Sequence, residues 1–253
     1  MNVVLFDLDD TLLDYSGGNE DCWRQSAVEV AVPAGVDLAP LIEALAEARR
    51  WLWSDPERHR RERTDMLGAW RKIAERALSG RCAEEVRLAA SMADDYAARR
   101  RAAWCLFPEA LAVLGALRAR DARLALVTNG DLRHQRDKID RHGLAGFFDA
   151  ILIEGEQGIG KPDPLVYRRA LDALRAAAAE ATMVGDNLEW DVAAPQRLGL
   201  RGIWIDREAQ GLPAGSPDAP DRIIRDLREL LEPPPVPPSS PEPAVARRPS
   251  RRR

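Results

Sequence analysis

The stretch "FDLDDTLLD", residues 6–14, places four carboxylates (Asp7, Asp9, Asp10 and Asp14) directly behind the apolar run Val3-Val4-Leu5-Phe6. Such a run followed by polar residues reads as a short buried strand. Side chains alternate along a strand, so Asp7 and Asp9 project to one side while Leu8 points away. Like charges in a partly dehydrated place repel and raise one another's pKa. The cluster therefore needs a cation, a hydrogen-bond network or a shared proton to persist. An isolated pair of this kind can also cap a turn, and that is the role assigned to Asp10 and Asp14.

Similar apolar runs recur at 124–127, 151–153, 182–184 and 202–205, with helical patterns at 108–120, 131–143, 163–177 and 189–199. Strands alternating with helices imply an α/β architecture, a parallel sheet covered on both faces. In an open parallel sheet, ligands bind at the carboxyl ends of the strands. Polar groups fall at matching places: Thr128-Asn129-Gly130 after the second strand, Gly185-Asp186-Asn187 after the fourth, and Lys161 in "GKPDP" at the start of the helix leading to the fourth.

The span 16–104 lacks convincing strands but holds amphipathic segments separated by "VPAG", "SDP" and "LSG", and is read as a helical insertion. Five of the seven tryptophans (Trp23, Trp51, Trp53, Trp70 and Trp104) lie there, implying a core of its own or an aromatic surface. Within "RRWLWSDPERHRRERTDM" (49–66) each single residue is read as part of a solvated helix whose tryptophans pack inward, with a substrate-reading face as the alternative and 51–63 as the stretch that would then read the leaving group. His134 and His142 are placed on the exposed face of a core helix. Residues 233–253, with eight prolines and five arginines, have little to bury and are read as a disordered tail.

Composition narrows the function. The chain of 253 residues is 45% apolar and 31% charged, as a soluble globular protein is, and has no apolar run of membrane-spanning length. With no signal-like N-terminus and three cysteines without CxxC spacing, a cytoplasmic location is expected, with neither a disulfide framework nor a thiolate zinc site. The net charge is −4, yet the tail carries +4 and residues 1–232 carry −8. An acidic body argues against a nucleic-acid partner and requires an anionic substrate to be drawn in locally.

Taken in order, DxDxT at Asp7-Asp9-Thr11, Thr128-Asn129, Lys161-Pro162 and GDxxxxD at Asp186 and Asp191 resemble the four motifs of the haloacid dehalogenase superfamily of phosphohydrolases. The resemblance implies a Rossmann-like, three-layer αβα core over residues 1–15 and 105–232, with residues 16–104 in the place of that superfamily's helical cap. It implies a phosphatase of a small-molecule phosphomonoester in which Asp7 is the nucleophile and Asp9 the acid and base. Mg²⁺ would be held by Asp7, the backbone carbonyl of Asp9 and Asp186. Lys161, Thr128 and Asn129 would bind the phosphoryl group, Asp191 would orient Lys161 or metal-bound water, and Thr11 would fix the loop. The second Asp disfavours a metal-free dehalogenase, which resembles this pattern without that acid. A phosphosugar mutase or phosphotransferase on the same fold stays open. So does a binding protein whose tail docks to acidic or proline-recognising partners.

Overall fold

The computed structural model describes residues 2–82, 84–216 and 219–232. The tail read at 233–253 lies outside the described residues. Among those described, no helix is long and apolar enough to cross a membrane.

The run at the start of the chain is the central strand β1 (Val3–Phe6), fully buried. It pairs in parallel with β4 (Arg123–Thr128) on one side and β6 (Ala181–Gly185) on the other. β5 (Ala150–Ile153) flanks β4, and β7 (Arg201–Ile205) and β8 (Arg222–Ile224) follow β6, giving the order β5-β4-β1-β6-β7-β8. Strand order thus reverses at β1, and the crevice beside its carboxyl end is the place where ligands bind in such sheets. The five strands expected from sequence are present, and β8 is an addition. It is three residues long at the sheet edge, with one side chain fully buried, so it carries too little apolar signal to stand out.

Alternation along β1 builds both faces of the core. Val4 and Phe6 join the cluster containing Val113, Leu114 and Leu117 of α6 (Ala110–Arg118) and Ile139 of α7 (Leu132–Arg141). Val3 and Leu5 join Val166, Tyr167 and Ala170 of α9 (Pro164–Leu174), which follows the one-turn helix α8 (Glu154–Gln157), on the other face. The result is the three-layer α/β fold that the alternating pattern implies.

Between β1 and α6 the chain forms α1 (Asn19–Ser26), α2 (Leu38–Ser54), α3 (Pro56–Glu62), α4 (Met66–Leu78) and α5 (Glu85–Ala103). Their buried faces make a separate apolar cluster from Trp23, Leu41, Leu45, Trp70, Ile73 and Tyr96. This is the inserted helical cap. The chain leaves and re-enters the core through a two-stranded antiparallel ribbon of β2 (Leu13–Asp14) and β3 (Cys105–Leu106). Arg100, 1% exposed, ties this neck by donating to the carbonyl oxygens of Gly17 (2.8 Å) and Tyr15. Asp10 and Asp14 serve the same turn, as expected: Asp10 accepts from the Tyr15 and Ser16 backbone N–H groups, and Asp14 from that of Gly17.

Replacing Arg100 with Met keeps most of the apolar stem but strands two carbonyl oxygens. Urea unfolding is expected to show a loss of about 2 kcal/mol. A change below about 0.5 kcal/mol, the scale of an ordinary surface substitution, would mean that Arg100 does not secure the neck.

Candidate active site

The loops after β1, β4, β5 and β6 converge on a cavity of about 370 Å³ between the sheet's carboxyl edge and the cap, lined by Asp7, Asp9, Thr128, Asn129, Lys161, Asp186 and Asp191. The sequence-predicted residues are thus brought together. Lys161, 1% exposed, reaches from the loop before α9 to Asp7 Oδ1 (2.6 Å) and Asp191 Oδ1 (2.7 Å). Asp191 has its other oxygen on the Asn187 backbone N–H (3.0 Å), so both its oxygens are engaged. It packs so closely on β6 that a Cβ at Gly185 would sit 2.2 Å from its Cγ, which explains glycine there. Thr11 donates weakly to Asp7 Oδ2 at 3.3 Å.

Asp7, Asp186 and Asp191 form a compact acidic group, one oxygen of each lying within 4.8 Å of the others. No hydrogen bond or ion pair to the Asp186 carboxylate is found among the described residues, in contrast to its two neighbours. Burial, then the charges of Asp7 and Asp191, pushes the Asp186 carboxyl up to about 9. Burial likewise raises Asp7 to about 7 against the pull of Lys161, with Asp191 and Asp9 adding to the rise. One lysine cannot neutralise three clustered carboxylates, two of them buried, and hard oxygen donors around an uncommitted carboxylate fit a divalent cation such as Mg²⁺.

Asp9 points into a different set of partners. Lys138 Nζ lies 2.8 Å from both of its oxygens, and Gln135 Nε2 donates to Oδ2 at 3.0 Å. Lys138 is fully buried, held also by the Gln135 side-chain oxygen (2.7 Å) and by the Tyr15 ring face, 3.8 Å from its centroid. Sequence reading missed both residues. Their signal was present: Gln135 and Lys138 are polar residues three apart on the face of α7 that also carries buried Ile139.

The predicted phosphate contacts are partly committed elsewhere. Gln135 donates to Thr128 Oγ1 (2.6 Å). The Asn129 amide is doubly bonded to the Lys161 backbone, donating to its oxygen (2.8 Å) and accepting from its N–H (2.7 Å). Asn129 therefore fixes the loop that presents Lys161.

On the cap side two expectations are overturned. His59 and Arg63 line the cavity instead of belonging to a solvated face, Trp53 packs against the cap core as expected and also reaches the cavity, and Arg60 and Arg61 do face solvent. Arg63 crosses to the core, donating to Glu154 Oε1 (2.7 Å), and that contact turns this edge of the segment inward. His134 is half-buried rather than on an outer face, set edge-on to Tyr15, Trp70 and Trp104. The helical period left its orientation open, and the cap rings determine it. Two runs of touching rings line the cavity: Trp53–His59–Trp190 at 5.3 and 5.7 Å, and Tyr96–Trp70–His134 at 5.1 and 5.4 Å.

A family model described as haloacid dehalogenase-like hydrolase matches residues 1–199. The chain belongs to this family. It is a hydrolase with full-length relatives named as phosphatases. It is 38% identical to a phosphoserine phosphatase of Thermus thermophilus, covering 91% of this chain and 98% of the relative. It is 31% identical to a glyceraldehyde 3-phosphate phosphatase of Methanopyrus kandleri, covering 92% and 96%. Among solved structures, a 2-haloacid dehalogenase from Pseudomonas syringae superposes with a TM-score of 0.65 at 29% identity, covering 92% of this chain and 97% of that one.

The acidic group has a pH signature. Its folded carboxyls sit above their ordinary value near 3.8, so their contribution to stability is full below about pH 4 and is lost as pH rises through about 7 and 9. Mg²⁺ is expected to raise Tm more at pH 8 than at pH 5. Asp186→Asn should stabilise the metal-free protein at pH 8 and abolish the Mg²⁺ response. A Tm indifferent to Mg²⁺ at both pH values would remove the metal assignment.

Proposed function

We propose that the protein hydrolyses a small phosphomonoester in the presence of Mg²⁺, through an aspartyl-phosphate on Asp7. The observation that carries this reading is the division of labour between two buried lysines: Lys161 serves Asp7 and Asp191, and Lys138 serves Asp9. A bound Mg²⁺, held by Asp7, Asp186 and the backbone carbonyl of Asp9, would supply positive charge to the phosphoryl group. Asp191, with both oxygens engaged, holds Lys161 rather than the ion.

Asp7 attacks phosphorus with the oxygen not drawn to Lys161. Lys161 places its ammonium beside the charge that develops on the phosphoryl oxygens, and the Thr128 hydroxyl donates to them. Asp9 protonates the departing alkoxide, then takes a proton from the water that attacks the aspartyl-phosphate, releasing inorganic phosphate and restoring Asp7. Lys138 and Gln135 fix the plane of the Asp9 carboxyl, so its proton is delivered in one direction. A dehalogenase needs no such acid, and the care with which Asp9 is held favours phosphate chemistry. The cap encloses the leaving group, with 51–63 as the segment that reads it. A cytoplasmic location and recruitment of partners through the tail belong to the same proposal.

Phosphate release from an aryl phosphate with Mg²⁺ tests it. EDTA and Asp7→Asn are each expected to abolish turnover, with the Asp7→Asn melting curve remaining cooperative. Full activity in either case would remove the metal or the nucleophile respectively.

Lys138→Met should distinguish positioning from packing. Loss of an oriented acid is felt most by poor leaving groups, so kcat/KM is expected to fall about a hundredfold for an alkyl phosphate and less than about tenfold for p-nitrophenyl phosphate, with Lys138→Arg recovering part of the difference. Equal losses on the two substrates would reduce Lys138 to a structural residue.

A further inference from the structure

We infer that the leaving group is a flat, aromatic alcohol bearing an anionic or acceptor group, rather than a three-carbon polar unit such as serine. The inference rests on the phosphatase reading and concerns what the same cavity accepts. A volume of about 370 Å³ lies in the range that holds ligands of some 300–1,000 Å³ sites, well beyond what a phosphorylated three-carbon unit fills. The two ring runs give it faces and edges suited to a planar π-system.

Charge decides among the groups that rings can hold. An aromatic enclosure also suits a quaternary ammonium, but here the cap contributes two cations to the lining, Arg49 and Arg63. Among the described residues, the ion-pair partner of Arg49 is Glu20, at 3.8 Å, whose side chain is 87% exposed. Arg63 is neutralised by its buried ion pair with Glu154 (2.7 Å), which leaves Arg49 as the cap cation for a ligand's anionic edge. The ammonium of an amino acid would find no carboxylate to receive it. The cap contributes none to the cavity, and the core's are engaged: Asp7 and Asp191 by Lys161, Asp9 by Lys138, Asp10 by Ser16, Asp131 by the His134 N–H. Asp186 is the remaining carboxylate and is assigned to the metal. A guanidinium with only a distant, exposed partner, set beside rings, describes a site for an aromatic group with an anionic edge.

The test compares benzyl phosphate, 4-carboxybenzyl phosphate, O-phosphoserine and phosphocholine with Mg²⁺, all of which release an alkoxide from a CH₂ group. Values of kcat/KM for both benzyl esters are expected to exceed those for phosphoserine and phosphocholine about tenfold or more, with the carboxylated ester best. Arg49→Met should erase the advantage of the carboxyl group, and Trp53→Leu should lower the ratio of benzyl to phosphoserine turnover. Arg60→Ala, on the outer face, should alter neither. Quenching of tryptophan fluorescence by 4-carboxybenzylphosphonate, which cannot be hydrolysed, reads binding without catalysis. Phosphoserine equal to or better than the benzyl esters would overturn the inference while leaving the phosphatase reading intact. Phosphonate binding with no turnover of any ester would overturn the phosphatase reading and with it the leaving-group assignment, keeping only a cavity that binds aromatic anions.

Discussion

The ammonium of Lys161, held between Asp7 and Asp191 and shut away from water, is the contact on which the rest of the site depends. It joins the loops following β1 and β6 to the loop before α9, so three separate segments must be in register for it to form. Removing one partner from a buried, hydrogen-bonded charge set leaves the others uncompensated, which is why such sets fix geometry even where they add little net stability. The Asn129 amide extends the constraint by clamping the Lys161 backbone to the end of β4. Four strand ends are thereby held to one geometry before any substrate arrives.

Against this fixed floor, the roof is built from different chemistry. The core presents carboxylates and lysines, whereas the cap presents rings and guanidinium groups. Trp190 and His134 are core residues that complete the cap's ring runs, and Arg63 is a cap residue anchored on the core's Glu154. Recognition of the leaving group is therefore shared across the junction instead of belonging to the insertion alone. The same chain can keep one reaction and vary what it accepts, because the two sets of residues overlap so little.

Sequence reading found the sheet and the floor of the site because both are written locally. A strand of four apolar residues followed by Asp-x-Asp needs no tertiary information, and neither does a Lys-Pro ahead of a helix. It did not find Lys138 or Gln135, since on a helix as polar as α7 only the fold says which polar residues face inward. It misjudged His134, His59 and Arg63 for a related reason. Each takes its orientation from a residue far along the chain, as Arg63 does from Glu154, and helical period cannot supply that partner. The strand β8 escaped because one buried side chain in three leaves no pattern to detect.

The position of β1 has a consequence for the order in which the protein can be made. Val3 has its pairing partners at Arg123 and Ala181, so β1 stays unpaired until the whole insertion and then most of the core have followed it. The helices between Asn19 and Ala103 draw their contacts from one another and can gather in the interval. The antiparallel ribbon at Leu13 and Leu106 closes before any sheet pairing of β1 is available, bringing the two cut ends of the core side by side. A nascent chain of this protein thus carries an exposed apolar strand next to its acidic cluster for most of its synthesis. Those four carboxylates, beyond any part in chemistry, are the charge that keeps the waiting strand from pairing with a neighbour.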